Sequence, residues 1–130
     1  MGYDDESIVS IIDSEGTRCM IEKRIKEIAS IFAEEAKQIY GEKLSEVILY
    51  GSCARGDNAP DSDIDILLLL AVEPQEIGAE RNKIFDVSDK LDLEYDVVLA
   101  PVLQSKAVYE KYLPVSAFYQ NVLKEGVKIA

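Results

Sequence analysis

From Thr17 to Tyr40 apolar residues return every third or fourth position, at Ile21, Ile25, Ile28, Phe32, Ala36 and Ile39. That period predicts a long amphipathic helix, and Gly41 is its expected stop. Ahead of it, the residues up to about Gly16 are acidic, and the Ile8, Ile11, Ile12 cluster suggests a short first helix. "SEVILY" then gives a short β-rich run halted by Gly51. "IDILLLLAV" is longer and apolar at consecutive positions, which predicts a central strand buried on both faces. Helical spacing resumes after Pro74 through Ile77, Ile84 and Leu91, interrupted once by Gly78. "LEYDVVLAP" alternates, with Leu93, Tyr95, Val97 and Leu99 on one side and Glu94, Asp96 and Val98 on the other, and predicts a third strand. Ser105 is placed to cap a helix running to about Tyr112. Pro114 opens another that Gly126 closes, leaving a short apolar "VKI" tail. The order helix, strand, strand, helix, strand, helix, helix predicts an α/β (α+β) domain, a small mixed sheet with helices packed on it.

Composition narrows the chemistry. The chain has 130 residues, a length that suits one domain: a core from about 44 to 129 and an N-terminal helical segment from about 1 to 41. It contains no histidine, which removes Ser-His-Asp and Cys-His mechanisms and every histidine-based zinc site. Cys19 and Cys53 alone cannot build a zinc site, and nothing in their number points to an oxidising compartment. The net charge of -11 argues against a nucleic-acid backbone as partner, because phosphate tracking requires Lys and Arg. It does not argue against a nucleotide, since a divalent cation can link carboxylates to phosphates. No apolar stretch reaches membrane-spanning length and "MGYDDESIVS" is acidic, so the expected location is cytoplasmic and no membrane partner is expected. Catalysis, if present, must rest on carboxylates, hydroxyls, Lys or Arg and a hard metal.

One stretch concentrates those groups. In "YGSCARGDNAPDSDIDILL" the Gly51-Ser52 pair ends one apolar run, ten residues follow, and Asp63 and Asp65 open the next. Strand alternation turns the two aspartates to the same face. Two carboxylates at the mouth of an apolar strand repel each other unless something offsets them, and a divalent cation does so directly. Two-metal sites hold their ions roughly 3.5–4 Å apart, a gap that i, i+2 aspartates can bridge. Gly51 lets backbone approach a phosphate, "SCAR" can make a helical turn whose N–H groups face an anion, and Ser52 adds a hydroxyl. This pairing suits in-line displacement at phosphorus. Asp96, read as lying inside a strand beside buried Val97 and Val98, is the expected third carboxylate, with Glu94 as the alternative. "DSD" or "GS" alone is commonplace. The pair with its spacer is expected by chance on the order of a few times per thousand chains of this size.

These residues resemble the signature of the polymerase-β-type nucleotidyltransferase superfamily. In so short a chain, "GSCARGDNAPDSDIDILL" is most similar to the minimal nucleotidyltransferases, antitoxin-type partners of HEPN proteins. "FYQNVLKEGVKI" resembles their closing helix and strand, so the likeness runs from about Leu44 to Ile129. The resemblance implies that Asp63 and Asp65 bind two Mg²⁺ ions, that Asp96 completes the catalytic one and helps deprotonate the acceptor, and that Gly51 and Ser52 hold phosphates of ATP. Arg55 is a further candidate phosphate contact. The implied reaction moves AMP from ATP to a hydroxyl, most directly a tyrosine of a HEPN ribonuclease toxin in a hetero-oligomer. Two other readings stay open: an aminoglycoside-type enzyme of the same superfamily, and an antitoxin that acts by contact alone with a vestigial site.

Overall fold

The computed structural model describes the backbone of residues 8–12 and 18–130, and side chains from Glu22 onward. Its first elements differ from expectation. Ile8–Ile12 is a strand, β1, rather than a helix, and it pairs antiparallel with β2, Arg18–Glu22. The helix expected from Thr17 begins only at Lys23 and runs to Tyr40 as α1. Thr17 itself lies outside the described residues. The reason is pairing: "IVSII" is rich in β-branched residues, and Ile21 falls opposite Val9, so a cross-strand ladder outweighs the helical spacing that Ile21 shares with Ile25. At its other end α1 stops at Gly41, as expected, with φ +56° and its N–H donated to Lys37 O.

A short 3-10 turn, Gly41–Lys43, leads into β3, Leu44–Tyr50. The four-residue α2, Ser52–Arg55, joins it to β4, Ile64–Leu70. Then come α3 (Ile77–Tyr95), β5 (Leu99–Ser105), α4 (Lys106–Tyr112), α5 (Ala117–Glu125) and β6 (Val127–Lys128). The strands form one mixed sheet in the order β5-β4-β3-β6, with β4 parallel to β5 and β3 antiparallel to β4 and β6.

β4 is interior, as its sequence predicted, and both its faces are covered. Ile64, Ile66, Leu68 and Leu70 pack with Ile25, Ile28 and Phe32 of α1 and with Ile84 and Leu91 of α3. Leu67 and Leu69 turn the other way, onto Ile48, Tyr109 of α4 and Val122 of α5. Each fully buried Leu or Ile contributes roughly 1.5–3 kcal/mol, so the strand is a rigid base for whatever its first residues carry. Ser105 and Ser116 cap α4 and α5, accepting from the N–H groups of Val108 and Tyr119.

The third strand also departs from expectation. Residues 93–95 are the last turn of α3, and the strand occupies Leu99–Ser105 instead. Helical spacing of Ile77, Ile84 and Leu91 carries α3 past the alternating stretch, leaving Leu93 88% exposed. Pro101, which reads as the end of a strand, lies inside β5 because β5 is an edge strand, where a missing N–H is tolerated. Among the described residues no helix is long and apolar enough to cross a membrane.

Candidate functional site

β3 delivers Tyr50 opposite Asp65 of β4, so the chain leaves β3 at the level where the aspartates begin. Gly51 then takes φ +76°, a conformation that L side chains rarely adopt. The turn it starts is closed tightly: Ala54 and Arg55 N–H both reach Gly51 O at 3.1 Å, and Gly56 N–H reaches Ser52 O at 2.9 Å. Gly56, at φ +80°, sends the chain into the loop back to β4. Ala59 N–H donates to Ser62 Oγ at 2.8 Å, just before Asp63. Cys53 is buried, and its thiol donates to Asp63 O at 3.5 Å, tying α2 to the mouth of β4. Burial first, and then the Asp65 charge, push that thiol up to about 11, so it remains protonated.

Asp63 is exposed and Asp65 half-buried. A Cβ built on Gly51 would stand 2.5 Å from Asp65 Oδ2, so the carboxylate lies directly against the glycine turn. Burial raises the pKa of Asp65, the Asp63 charge raises it further, and Arg55 opposes both. Tyr50, on the same face of the sheet, is pushed up to about 12 by burial and then by Asp65. The site is therefore a strand end with two mutually repelling carboxylates, one of them packed directly against a glycine turn. All its side-chain donors are hard oxygens, and a pair of carboxylates is the protein share that Mg²⁺ takes when water and phosphate complete its shell.

Of the residues singled out in the sequence, Gly51, Ser52, Asp63 and Asp65 come together, with Arg55 close enough to influence Asp65. The Arg55 guanidinium is engaged already: Nε donates to Asp57 Oδ2 at 3.1 Å and Nη1 to Glu125 Oε2 at 2.9 Å. Asp96 is not inside a strand. It is exposed, ends α3 in the left-handed region at φ +52°, and gives its N–H to Asp92 O. Val97 is half-buried and Val98 is 53% exposed, so the buried surroundings expected for Asp96 are absent too. Glu94 is exposed on the last turn of α3. Among the described residues no three or more acidic, His or Cys residues are grouped closely enough to hold an ion. Asp96 lies three residues before β5, near the end of the sheet at which β4 and β5 both begin. β4 and β5 run parallel, and Ile64 N–H donates to Val98 O at 2.8 Å, two residues beyond Asp96.

Three contributors escaped the sequence reading. Tyr50 is placed beside Asp65 by register, Cys53 pins Asp63 through its backbone, and Glu125 reaches Arg55 across 70 positions. Strand alternation could have found the first; no local signal announces the other two.

Residues 25–129 match the family described as "Nucleotidyltransferase domain". That match takes in most of α1 as well as the motif-bearing part. Two proteins of Methanocaldococcus jannaschii, both bearing the name "putative protein adenylyltransferase", align over 105 residues. One is 34% identical, covering 81% of this chain and 98% of the relative. The other is 37% identical, covering 81% and 93%. In structure, a Sulfolobus solfataricus protein described as "a putative nucleotidyltransferase" superposes with a TM-score of 0.52 at 19% identity, covering 81% of this chain and 78% of its own. A chain from a mutant toxin–antitoxin pair, MntA–HpeT, gives 0.50 at 19% identity, covering 78% and 72%. These superpositions establish a shared fold.

Proposed function

The chain belongs to the nucleotidyltransferase domain family, and from that premise we propose that it moves AMP from ATP to a tyrosine hydroxyl of a HEPN-type toxin, acting as its antitoxin. The observation that carries this reading is the contact of the Asp65 carboxylate with the Gly51 turn. It puts the anion-facing end of α2 and the acidic strand end side by side, as a triphosphate bridging the two would require. The protein-adenylyltransferase name of the two archaeal relatives supports the choice of AMP and of a protein acceptor.

In this mechanism the N–H groups opening α2 and the Ser52 hydroxyl bind phosphate oxygens. Asp63 and Asp65 would hold Mg²⁺, with Asp96, from the end of α3, as the further ligand. The bound metal supplies neutralisation of the charge on the phosphate oxygens. Arg55 exchanges a carboxylate partner for phosphate. The acceptor oxygen forms a new bond to the α-phosphorus while the bond from that phosphorus to the bridging oxygen breaks. Pyrophosphate carries away the electron pair, and Asp96 takes the hydroxyl proton. Most of the catalysis is positioning and charge compensation on a rigid strand end.

A partner protein is part of this reading because Asp63 is exposed at the start of β4, where a protruding tyrosine of another chain can approach it. The test is to co-purify the chain with its coexpressed neighbour, add Mg²⁺ and ATP, and map the modified residue by mass spectrometry. AMP on a partner tyrosine supports the reading. AMP on an added aminoglycoside, or tight partner binding that survives Asp63→Asn/Asp65→Asn with no transfer by wild type, would replace it.

A further inference from the structure

The face of the sheet that carries Asp65 also carries an aromatic wall. Tyr50, opposite Asp65 on β3, meets the ring of Phe118 on α5 edge to face, with centroids 5.5 Å apart and planes at 85°. Phe118 in turn lies 5.5 Å from Tyr119. Tyr119 is fixed from below: its ring sits 5.1 Å from that of buried Tyr109, and its hydroxyl accepts from Gln104 Nε2 at 2.9 Å. Phe118 is thus held by two rings, one of which is locked, yet it remains 44% exposed. A large aromatic side chain that is both oriented and half uncovered, one ring away from the neighbour of a catalytic carboxylate, is a preformed stacking surface.

We propose that Phe118, backed by Tyr50, is the surface on which the nucleobase of the substrate stacks. This rests on the reading of Gly51, Ser52 and Asp65 as the phosphate and metal end of the same site. With the phosphates anchored there, the base of a nucleoside triphosphate is the one planar, apolar part of the substrate, and the wall that starts at Tyr50 offers it an aromatic partner. Stacking on a ring tolerates any base, which agrees with the absence of a base-reading motif in the sequence. Seating of a protein partner on the exposed ring of Phe118 is the competing use.

The two uses separate by comparing ATP with inorganic tripolyphosphate, which has the phosphates and lacks the base. Affinity of each for the full chain is measured in the presence of Mg²⁺ by calorimetry, for wild type, Phe118→Ala and Phe118→Trp. The expected result is that Phe118→Ala weakens ATP by about tenfold or more, the scale of losing one stacked base. Tripolyphosphate affinity stays unchanged and Phe118→Trp restores ATP. Equal ATP affinity in Phe118→Ala and wild type overturns the proposal, and a raised KM for the acceptor alone assigns the ring to the partner. A parallel loss of tripolyphosphate affinity overturns it as well, because the ring would then be supporting the phosphate turn. Failure of wild type to bind either compound contradicts the phosphate site itself, a different outcome from failure of the stacking surface. Circular dichroism of Phe118→Leu, which keeps an apolar side chain at the position, checks that loss of ring contact leaves the fold intact.

Discussion

Gly51 and Asp65 approach so closely that no side chain fits between them: a Cβ on residue 51 would stand 2.5 Å from Asp65 Oδ2. The same residue has φ +76°, so it is constrained by conformation as well as by space. Gly51→Ala is expected to cost about 1–3 kcal/mol of stability from the backbone alone, because φ +76° with ψ −158° is a region essentially reserved for glycine. The clash falls on the far end of a rotatable side chain, so Asp65 swings away and relieves it. Activity therefore suffers more than folding. Denaturant titration should show a modest loss, and nucleotidyl transfer should drop at least a hundredfold, a scale typical of misplaced catalytic groups.

Asp65 is placed where its charge is unwelcome. Burial, and then Asp63, lift its pKa above the ordinary 3.8. A carboxyl whose folded pKa exceeds its unfolded one penalises the folded state once ionised. Without metal, stability therefore rises as pH falls through the raised value and is lower at neutral pH. Asp65→Asn should then melt at a higher temperature than wild type at pH 7 while transferring nothing. Mg²⁺ should raise the melting temperature of wild type and do so much less for the variant, since binding to the folded state alone stabilises it. Thermal melts of both proteins with and without Mg²⁺, at pH 5 and 7, check the sign.

Arg55 is shared between Asp57 and Glu125, both at the protein surface. Exposed pairs add little to stability, so Arg55→Ala should leave the melting temperature nearly unchanged. As a phosphate contact its loss should instead appear as a raised KM for the nucleotide with a smaller effect on kcat. Steady-state kinetics at varied ATP concentration distinguish this from a purely structural role.

Asp96 has the rarest backbone among the described residues other than glycine, with φ +52°. Asparagine tolerates that region almost as well, so Asp96→Asn should keep the fold, judged by circular dichroism, while abolishing transfer. If transfer persists, the proton acceptor lies elsewhere, and Glu94→Gln is the next variant to assay.

What was legible in the sequence was local. Gly51, Ser52, Asp63 and Asp65 lie within fifteen positions, and one rule about alternation and one about glycine suffice to join them. The buried β4 announced itself because both of its faces are apolar. The caps Gly41 and Ser105 followed from backbone chemistry. The failures share a different cause. Around Asp96, alternation and helical spacing overlap, and only the parallel pairing of Leu99 with Ile64 decides where α3 gives way to β5. The hairpin of β1 and β2 is likewise selected by pairing rather than by local preference. The Arg55–Glu125 contact depends on α5 crossing back over the site, which no local pattern encodes.

The central claim is that this site transfers a nucleotidyl group, and the fate of two labels tests it most directly. Wild type and Asp65→Asn, each with the co-purified partner and Mg²⁺, are incubated in parallel with ATP labelled at the α- or the γ-phosphorus. The account predicts protein-bound label from the α position only, in wild type only, with γ label recovered as pyrophosphate. Retention of γ label would mean phosphoryl transfer, and α labelling that persists in Asp65→Asn would place the chemistry elsewhere; either result contradicts the account.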